Sequence, residues 1–227
     1  MGTVTDLLAR PVCEMAQVDH VLGLSSGTSE RWIDGYWRSG RHYDPIVRSK
    51  PTGNYIVTWG EFAEVRFLAE YRSANVPLSH MRPVVERLRS ALGYEYPLAH
   101  ATWLEPQGRE LVLKVQDDLA LDDELLIVVY RSGQLLLNLP AEEFRKSVDI
   151  DDGIVRRFRP DLTYPEVVID PLRQFGDPVV RNISTAVIAE QHAAGDSISL
   201  IAEGYFLSEG QVTQAIAFES RRGTKAA

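Results

Sequence analysis

Five cations fall within twenty residues: Arg31, Arg38, Arg41, Arg48 and Lys50. They alternate with Trp32, Tyr36, Trp37, His42 and Tyr43. Guanidinium and ammonium groups set out in this way suit phosphate oxygens. Each phosphate they neutralise releases counterions and adds affinity that ignores base sequence. Just upstream, Ser26 and Thr28 carry short hydroxyls that can bond a base edge or a phosphate, and Arg31 has the planar fork that grips either. The candidate DNA-contacting set is therefore Ser26, Thr28, Arg31, Arg38, Arg41, Arg48 and Lys50.

Catalytic groupings are missing from the sequence. His20, His42, His80, His100 and His192 stand apart, with no His-x-His, His-Glu-x-x-His or Cys/His zinc spacing. There is no Walker loop, no Gly-x-Gly-x-x-Gly after a strand, and no Gly-x-Ser-x-Gly elbow. The acidic pairs Asp117-Asp118, Asp122-Asp123 and Asp151-Asp152 could hold a divalent ion, but such pairs more often mark solvated turns. The chain reads as a non-enzyme, with no metal site and no cofactor.

The bulk numbers bound the rest. A chain of 227 residues, 44% hydrophobic and 25% charged, is a globular protein with room for real cores. The longest apolar run, Leu125–Tyr130, is too short to span a bilayer. The N-terminus has no charged n-region and no apolar h-region, so no signal peptide is expected. Cys13 is the lone cysteine, which suits a reducing cytoplasm. The net charge of −8 speaks against nucleic-acid binding until its distribution is examined. Residues 25–89 hold ten Lys/Arg against seven Asp/Glu, whereas residues 105–152 hold five against twelve. A cationic first third and an anionic middle fit two kinds of partner, although scatter on a solvated surface gives the same counts.

The elements that must position the cations can be read in order. Met15, Val18, Val21 and Leu22 recur at helical spacing, Gly23 makes a turn, and Ser25 or Ser26 caps a second helix carrying Arg31 and Trp32. This is the grammar of a helix-turn-helix, which also occurs in purely structural helix pairs. Pro45–Arg48 and Tyr55–Thr58 read as strands around a turn at Ser49–Asn54, a basic wing. Thr58-Trp59-Gly60-Glu61 is a capping box opening a helix with Phe62, Val65, Leu68 and Tyr71 on its inner face, and Ser79–Leu92 is a further helix. In the middle, Ala101–Leu104 with Leu111–Val115, and Leu125–Tyr130 with Gln134–Leu137, read as hairpins. A short helix from Pro140 and a strand at Ile154–Phe158 follow. After a linker at Arg159–Pro165 come a strand at Val167–Pro171 and three helices. These are capped by Ser184, by Asp196 or Ser197, and by the box Ser208-Glu209-Gly210-Gln211, with a frayed tail from Arg221.

The C-terminal residues carry a family likeness. Asp170-Pro171, Gly176-Asp177-Pro178, Ala194–Glu203 and Leu207–Val212 together resemble the small trihelical, homeodomain-like module of VapB-type antitoxins. A helix-turn-helix domain ahead of that module resembles the longer mycobacterial-type members. Two positions depart from the N-terminal pattern: Ser29 stands where an inward Leu is usual, and Gly27 interrupts the helix. The resemblance implies a type II toxin–antitoxin role, in which the protein neutralises a VapC-like, PIN-type ribonuclease and represses its own operon.

The expected fold class is α+β. Residues 1–100 would form a winged helix-turn-helix domain, 101–159 a β-rich connector for dimerisation or toxin binding, and 165–222 the trihelical module. The expected partners are operator DNA, a VapC-like toxin from the adjacent gene, and a second copy of the chain in a homodimer on a palindrome. No membrane is among them. The alternative is a MerR-like winged-helix transcriptional regulator whose middle segment senses a small ligand.

Overall fold

The computed structural model describes residues 7–76, 81–104, 106–123, 126–131 and 134–225. Their architecture is α+β. Among these residues are nine α-helices, one five-stranded antiparallel sheet and three two-stranded ones.

Strand β1 (Pro11–Glu14) pairs with β4 (Ile56–Thr58) and so closes residues 15–55 into one loop of chain. Inside it lie α1 (Met15–Leu22), α2 (Thr28–Ile33) and a hairpin of β2 (Tyr36–Arg38) with β3 (Arg41–Tyr43). Helix α3 (Trp59–Ser73) begins at the expected capping box. The Glu61 amide donates to Thr58 Oγ1, and the Thr58 amide donates to the Glu61 carboxylate. The sequence pattern gives this helix one apolar face, but it is buried nearly all round, because the protein builds its main core about it. Trp59, Phe62 and Phe158 pack as one aromatic group, and Phe67, Tyr71, Trp103 and Phe144 as another. Gly60 is required by close approach: a Cβ there would lie 2.4 Å from the Tyr96 ring.

Helix α4 (Met81–Leu92) follows; Ser79 and His80, expected to start it, lie outside the described residues. The middle is not the β-rich segment that the apolar runs suggest. Ala101–Leu104 is a 3-10 turn, and Leu111–Val115 lies inside α5 (Pro106–Asp118). Val112 and Val115 are buried at helical spacing, and the Gln116 side chain satisfies the backbone of Ile127 and Val128. The strand-like run Leu-Val-Leu was thus overridden by tertiary packing. Strands β5 (Val128–Arg131) and β6 (Gln134–Leu137) pair as expected; Leu125, Ser132 and Gly133 lie outside the described residues. Helix α6 (Leu139–Ser147), capped by Asn138, leads into β7 (Val148–Asp151) and β8 (Ile154–Phe158).

The large sheet runs β11 (Ile183–Ser184), β10 (Pro178–Val180), β9 (Val167–Ile169), β8, β7. It therefore crosses the stretch 159–166: Phe158 of β8 pairs with Ile169 of β9. Helices α7 (Thr185–Ala193), α8 (Ile198–Tyr205) and α9 (Glu209–Lys225) gather a second core of Val167, Val180, Ile188, Ile201, Val212, Ala215 and Phe218. Helix α9 continues to Lys225 and so replaces the frayed tail expected from Arg221. Strand β9 joins the two cores, giving Val167 to the smaller and Ile169 to the larger. No helix among the described residues is long and apolar enough to cross a membrane.

Candidate nucleic-acid interface

The α1–α2 pair is locked by one carboxylate. Gly23 ends α1 in left-handed backbone, with its amide and that of Leu24 returned to the carbonyls of His20 and Asp19. The buried Asp19 side chain then reaches across to the start of α2. It accepts from the amides of Thr28 at 3.1 Å and Ser29 at 2.7 Å. The expected cap at Ser25 or Ser26 is not made. The cap position is Gly27, whose φ of 73° explains a glycine there, and the capping oxygen comes from the preceding helix. Ser29 fills the place of the missing Leu by donating to the Met15 carbonyl at 2.7 Å, fully buried. Gly27 and Ser29 are therefore parts of one lock.

Trp32 and Ile33 face inward, and the Trp32 carbonyl accepts from the amides of Ile46 and Val47. Those bonds take the backbone groups that the expected strand Pro45–Arg48 would have used. The wing expected at residues 45–58 is accordingly corrected: Ile56–Thr58 pairs with β1, and the hairpin beside α2 is β2–β3, which begins at Tyr36, nine residues before the expected strand at Pro45. Ser39 and Gly40 turn it, both at positive φ. Tyr36 and Tyr43 stack across it at 4.8 Å, and Trp37 tilts against His42 at 5.0 Å. Arg38 and Arg41 flank the turn, with the Arg41 guanidinium 5.3 Å from the Tyr43 ring centre.

The seven candidate residues part company here. Arg31, Arg38 and Arg41 are exposed, and among the described residues none has a carboxylate in ion-pair range. Arg31 and Arg41 line a cleft of about 290 Å³ with Trp32, Tyr36, Tyr43 and Arg82. On the other side of Arg31 is a second cleft of about 420 Å³, edged by Ser25, Thr28 and Arg72. A cationic strip thus runs from Arg72 through Arg31 to Arg41. Arg82 lies beside it, drawn to Asp44 at 2.6 Å, and holds that carboxyl below its usual range. Arg72 and Arg82 sit in the last turn of α3 and the second position of α4, so no local signal could have joined them to α2.

The other candidates are elsewhere. Ser26 is exposed in the turn. Thr28 is buried and its hydroxyl accepts from Arg31 at 3.0 Å, so it positions that guanidinium and leaves bases alone. Lys50 lines a separate cleft of about 240 Å³ with Glu61, Arg89 and Glu95. Arg48 is withdrawn from the set. Its N–H groups donate to Glu61 at 2.6 Å, to Asp34 at 2.8 Å, to Thr52, and to the carbonyls of Asn54 and Ile56. Burial works against its charge, but Glu61 and then Asp34 outweigh burial and raise its pKa further. Asp34 in turn is held below the carboxylate range, against burial, by the Thr52 amide and Arg48. An Arg that looks like a phosphate contact in sequence is the tie between the hairpin region and α3.

One turn along α3 from Glu61 lies Glu64, fully buried, which among the described residues accepts from the Leu98 amide at 2.9 Å. Burial pushes its carboxyl up to about 8, so it is largely protonated at neutral pH. Cys13, opposite Val57 of β4 in the β1–β4 pair, is buried, its thiol pushed up to about 12 by burial and then by Asp177. Among the described residues no three His, Cys, Asp or Glu side chains converge as a metal site would need.

Comparison with known proteins adds a frame. Residues 167–218, the span from β9 into α9, match the family model described as "Protein of unknown function (DUF433)". The chain is 36% identical to "Uncharacterized protein Rv2308" of Mycobacterium tuberculosis, over 96% of this chain and 94% of that one. A crystal structure of Rv2018 from Mycobacterium tuberculosis superposes with a TM-score of 0.71 and 22% identity, covering 91% of this chain and 97% of that one. At that identity the likeness is one of fold.

Proposed function

The chain belongs to the family of the Mycobacterium tuberculosis protein Rv2308, and from that premise we propose that it is a DNA-binding antitoxin that represses its own operon and neutralises a VapC-like, PIN-type ribonuclease. In this reading α1 and α2 are a helix-turn-helix, and the β2–β3 hairpin is its wing. Helices α7 to α9 are the homeodomain-like module. A homodimer sets two such units on a palindromic operator.

The observation that carries the DNA half is the strip Arg72–Arg31–Arg41 with Arg38 at the hairpin tip. It is exposed and without carboxylate partners among the described residues, on a chain of net charge −8. Arginines left bare on an acidic protein cost favourable pairing unless an anion takes it up. The antitoxin half is supported by the capped helices α8 and α9, which follow the pattern that the sequence shares with VapB-type modules.

Fluorescence anisotropy with DNA from upstream of the gene tests the first half. Binding should fall steeply with salt, and Arg38→Ala/Arg41→Ala should reduce the salt slope by about 2 with the melting temperature unchanged. Unchanged binding by that variant would remove the hairpin from the interface. Co-purification with the product of the adjacent reading frame, and relief of its toxicity, tests the second half; absence of both sinks it.

A further inference from the structure

Two phenylalanines stand almost bare on the C-terminal part: Phe175 is 79% and Phe206 85% exposed, with Leu172, three residues before Phe175, at 53%. Single exposed hydrophobics need no explanation, but these sit on backbone that phenylalanine rarely adopts. Phe206 closes α8 at φ 56°, ψ 40°. Gln174, Phe175 and Gly176 run consecutively at φ 44°, 54° and 86°, and Arg181 is at 56°. Left-handed backbone crowds Cβ against the following carbonyl, so it persists at such residues only where neighbours over-determine it.

The neighbours here do so. Arg181 donates to the Phe206 carbonyl at 3.3 Å, while its own carbonyl accepts from Arg173 at 2.6 Å. Gln174 donates to the Asn182 carbonyl at 3.2 Å. Gly176 backs onto Val12, where a Cβ would come within 3.0 Å. The turns at 173–176, 181–182 and 206 are therefore tied into one surface, from which Phe175 and Phe206 stand outward beside the exposed Arg181.

We propose that this surface docks a partner protein that offers two apolar sockets rimmed by carboxylates. Shape argues for sockets, because aromatics standing out from turns bind by insertion. Of this chain's own clefts, those at Arg31, Arg41, Arg72 and Arg82 are cationic, whereas the one lined by Leu22, Leu24 and Leu162 carries Glu70 and Asp161, so a second copy is the rival occupant that the experiment below separates. Charge argues for the carboxylate rim. Arg181 spends its guanidinium on a carbonyl and has no carboxylate in ion-pair range among the described residues, and Arg173 shares Asp170 with Arg156. Three side chains cover less than the roughly 800 Å² per partner of a stable interface, so they are its anchors and the contact extends beyond them.

The inference takes its probe from the antitoxin reading: the purified product of the adjacent reading frame. Titration calorimetry compares the full chain with Phe175→Asn/Phe206→Asn. Asn accepts left-handed backbone, so the variant should fold with a melting temperature unchanged or raised by about 2–4 °C. Its affinity for the probe should fall by about thirtyfold or more, the loss of an interface anchor, with operator binding unaltered. Arg181→Gln should slow association at low salt and do less at high salt. If the wild-type chain binds and the double variant matches it, the docking site is overturned and the antitoxin reading stands. If the wild-type chain does not bind, both fall. If light scattering shows a wild-type oligomer that the double variant splits, the occupant is a second copy and the proposal is overturned.

Discussion

The α1–α2 pair and the α8–α9 pair both set two helices across a short turn, yet they are held in opposite ways. Helix α8 is capped by Ser197, three residues from the Leu200 amide that it serves. Helix α9 is opened by the box in which Ser208 and Gln211 each bond the other's backbone. Helix α2, only six residues long, has no cap of its own and takes its oxygens from Asp19 on α1. The chain after it is held by Arg48, which reaches Asp34 behind and Glu61 ahead. The C-terminal pair is thus stabilised by neighbours in sequence. The N-terminal pair depends on the whole first core, since Glu61 also caps α3. An interface built in the second way is rigid only while the core beneath it is intact.

Breaking the distant tie should have the largest effect. Arg48→Met removes one partner from the buried Glu61 and the half-buried Asp34 and should cost about 3 kcal/mol in urea unfolding. A loss under about 1 kcal/mol would mean that the network is decorative. Asp19→Ala should cost about 2–3 kcal/mol, because two amides lose a charged acceptor. Hydrogen exchange should then rise in residues 28–33 and stay unchanged in 198–205; equal change in both would mean that the two helix pairs are held alike.

A pH effect of intermediate size should come from Glu64. The folded carboxyl keeps its proton up to about 8, whereas in the unfolded chain it loses it near 4.5. Between those values the folded state binds the extra proton, so the contribution is full below 4.5 and is lost as pH rises through 8. Glu64→Gln should flatten that slope and melt higher than wild type at pH 9; a wild-type melting temperature constant from pH 5 to 9 contradicts this. The smallest effect is expected at Ser208→Ala, about 1 kcal/mol for a lost cap, with the cationic strip undisturbed.

The same contrast explains what could be read beforehand. The capping boxes at Thr58 and Ser208 and the cap at Ser197 were legible, because their signals lie within four residues, whereas Ser184 stands at the cap position of α7 without a side-chain bond to it. The apolar run at Leu111–Val115 misled, because β-branched and aliphatic residues suit a strand until Val112 and Val115 find a core at helical spacing. The strand expected at Pro45–Arg48 does not form because two of its amides go to the Trp32 carbonyl, a contact no local pattern announces. Arg31, Arg38 and Arg41 were identified by type and spacing, whereas Arg72 and Arg82 reach the strip only by the packing of α3 and α4.

The chain's order of residues determined by itself where most helices begin, which faces are apolar, and that the cations gather in one early stretch. Those properties are set by hydrogen bonds and periodicities spanning a few residues. Which arginine faces solvent and which is spent inside was decided only by the tertiary structure. Arg48 and Arg41 are chemically the same group, and only the positions of Asp34 and Glu61 make one a strut and leave the other free to meet an anion.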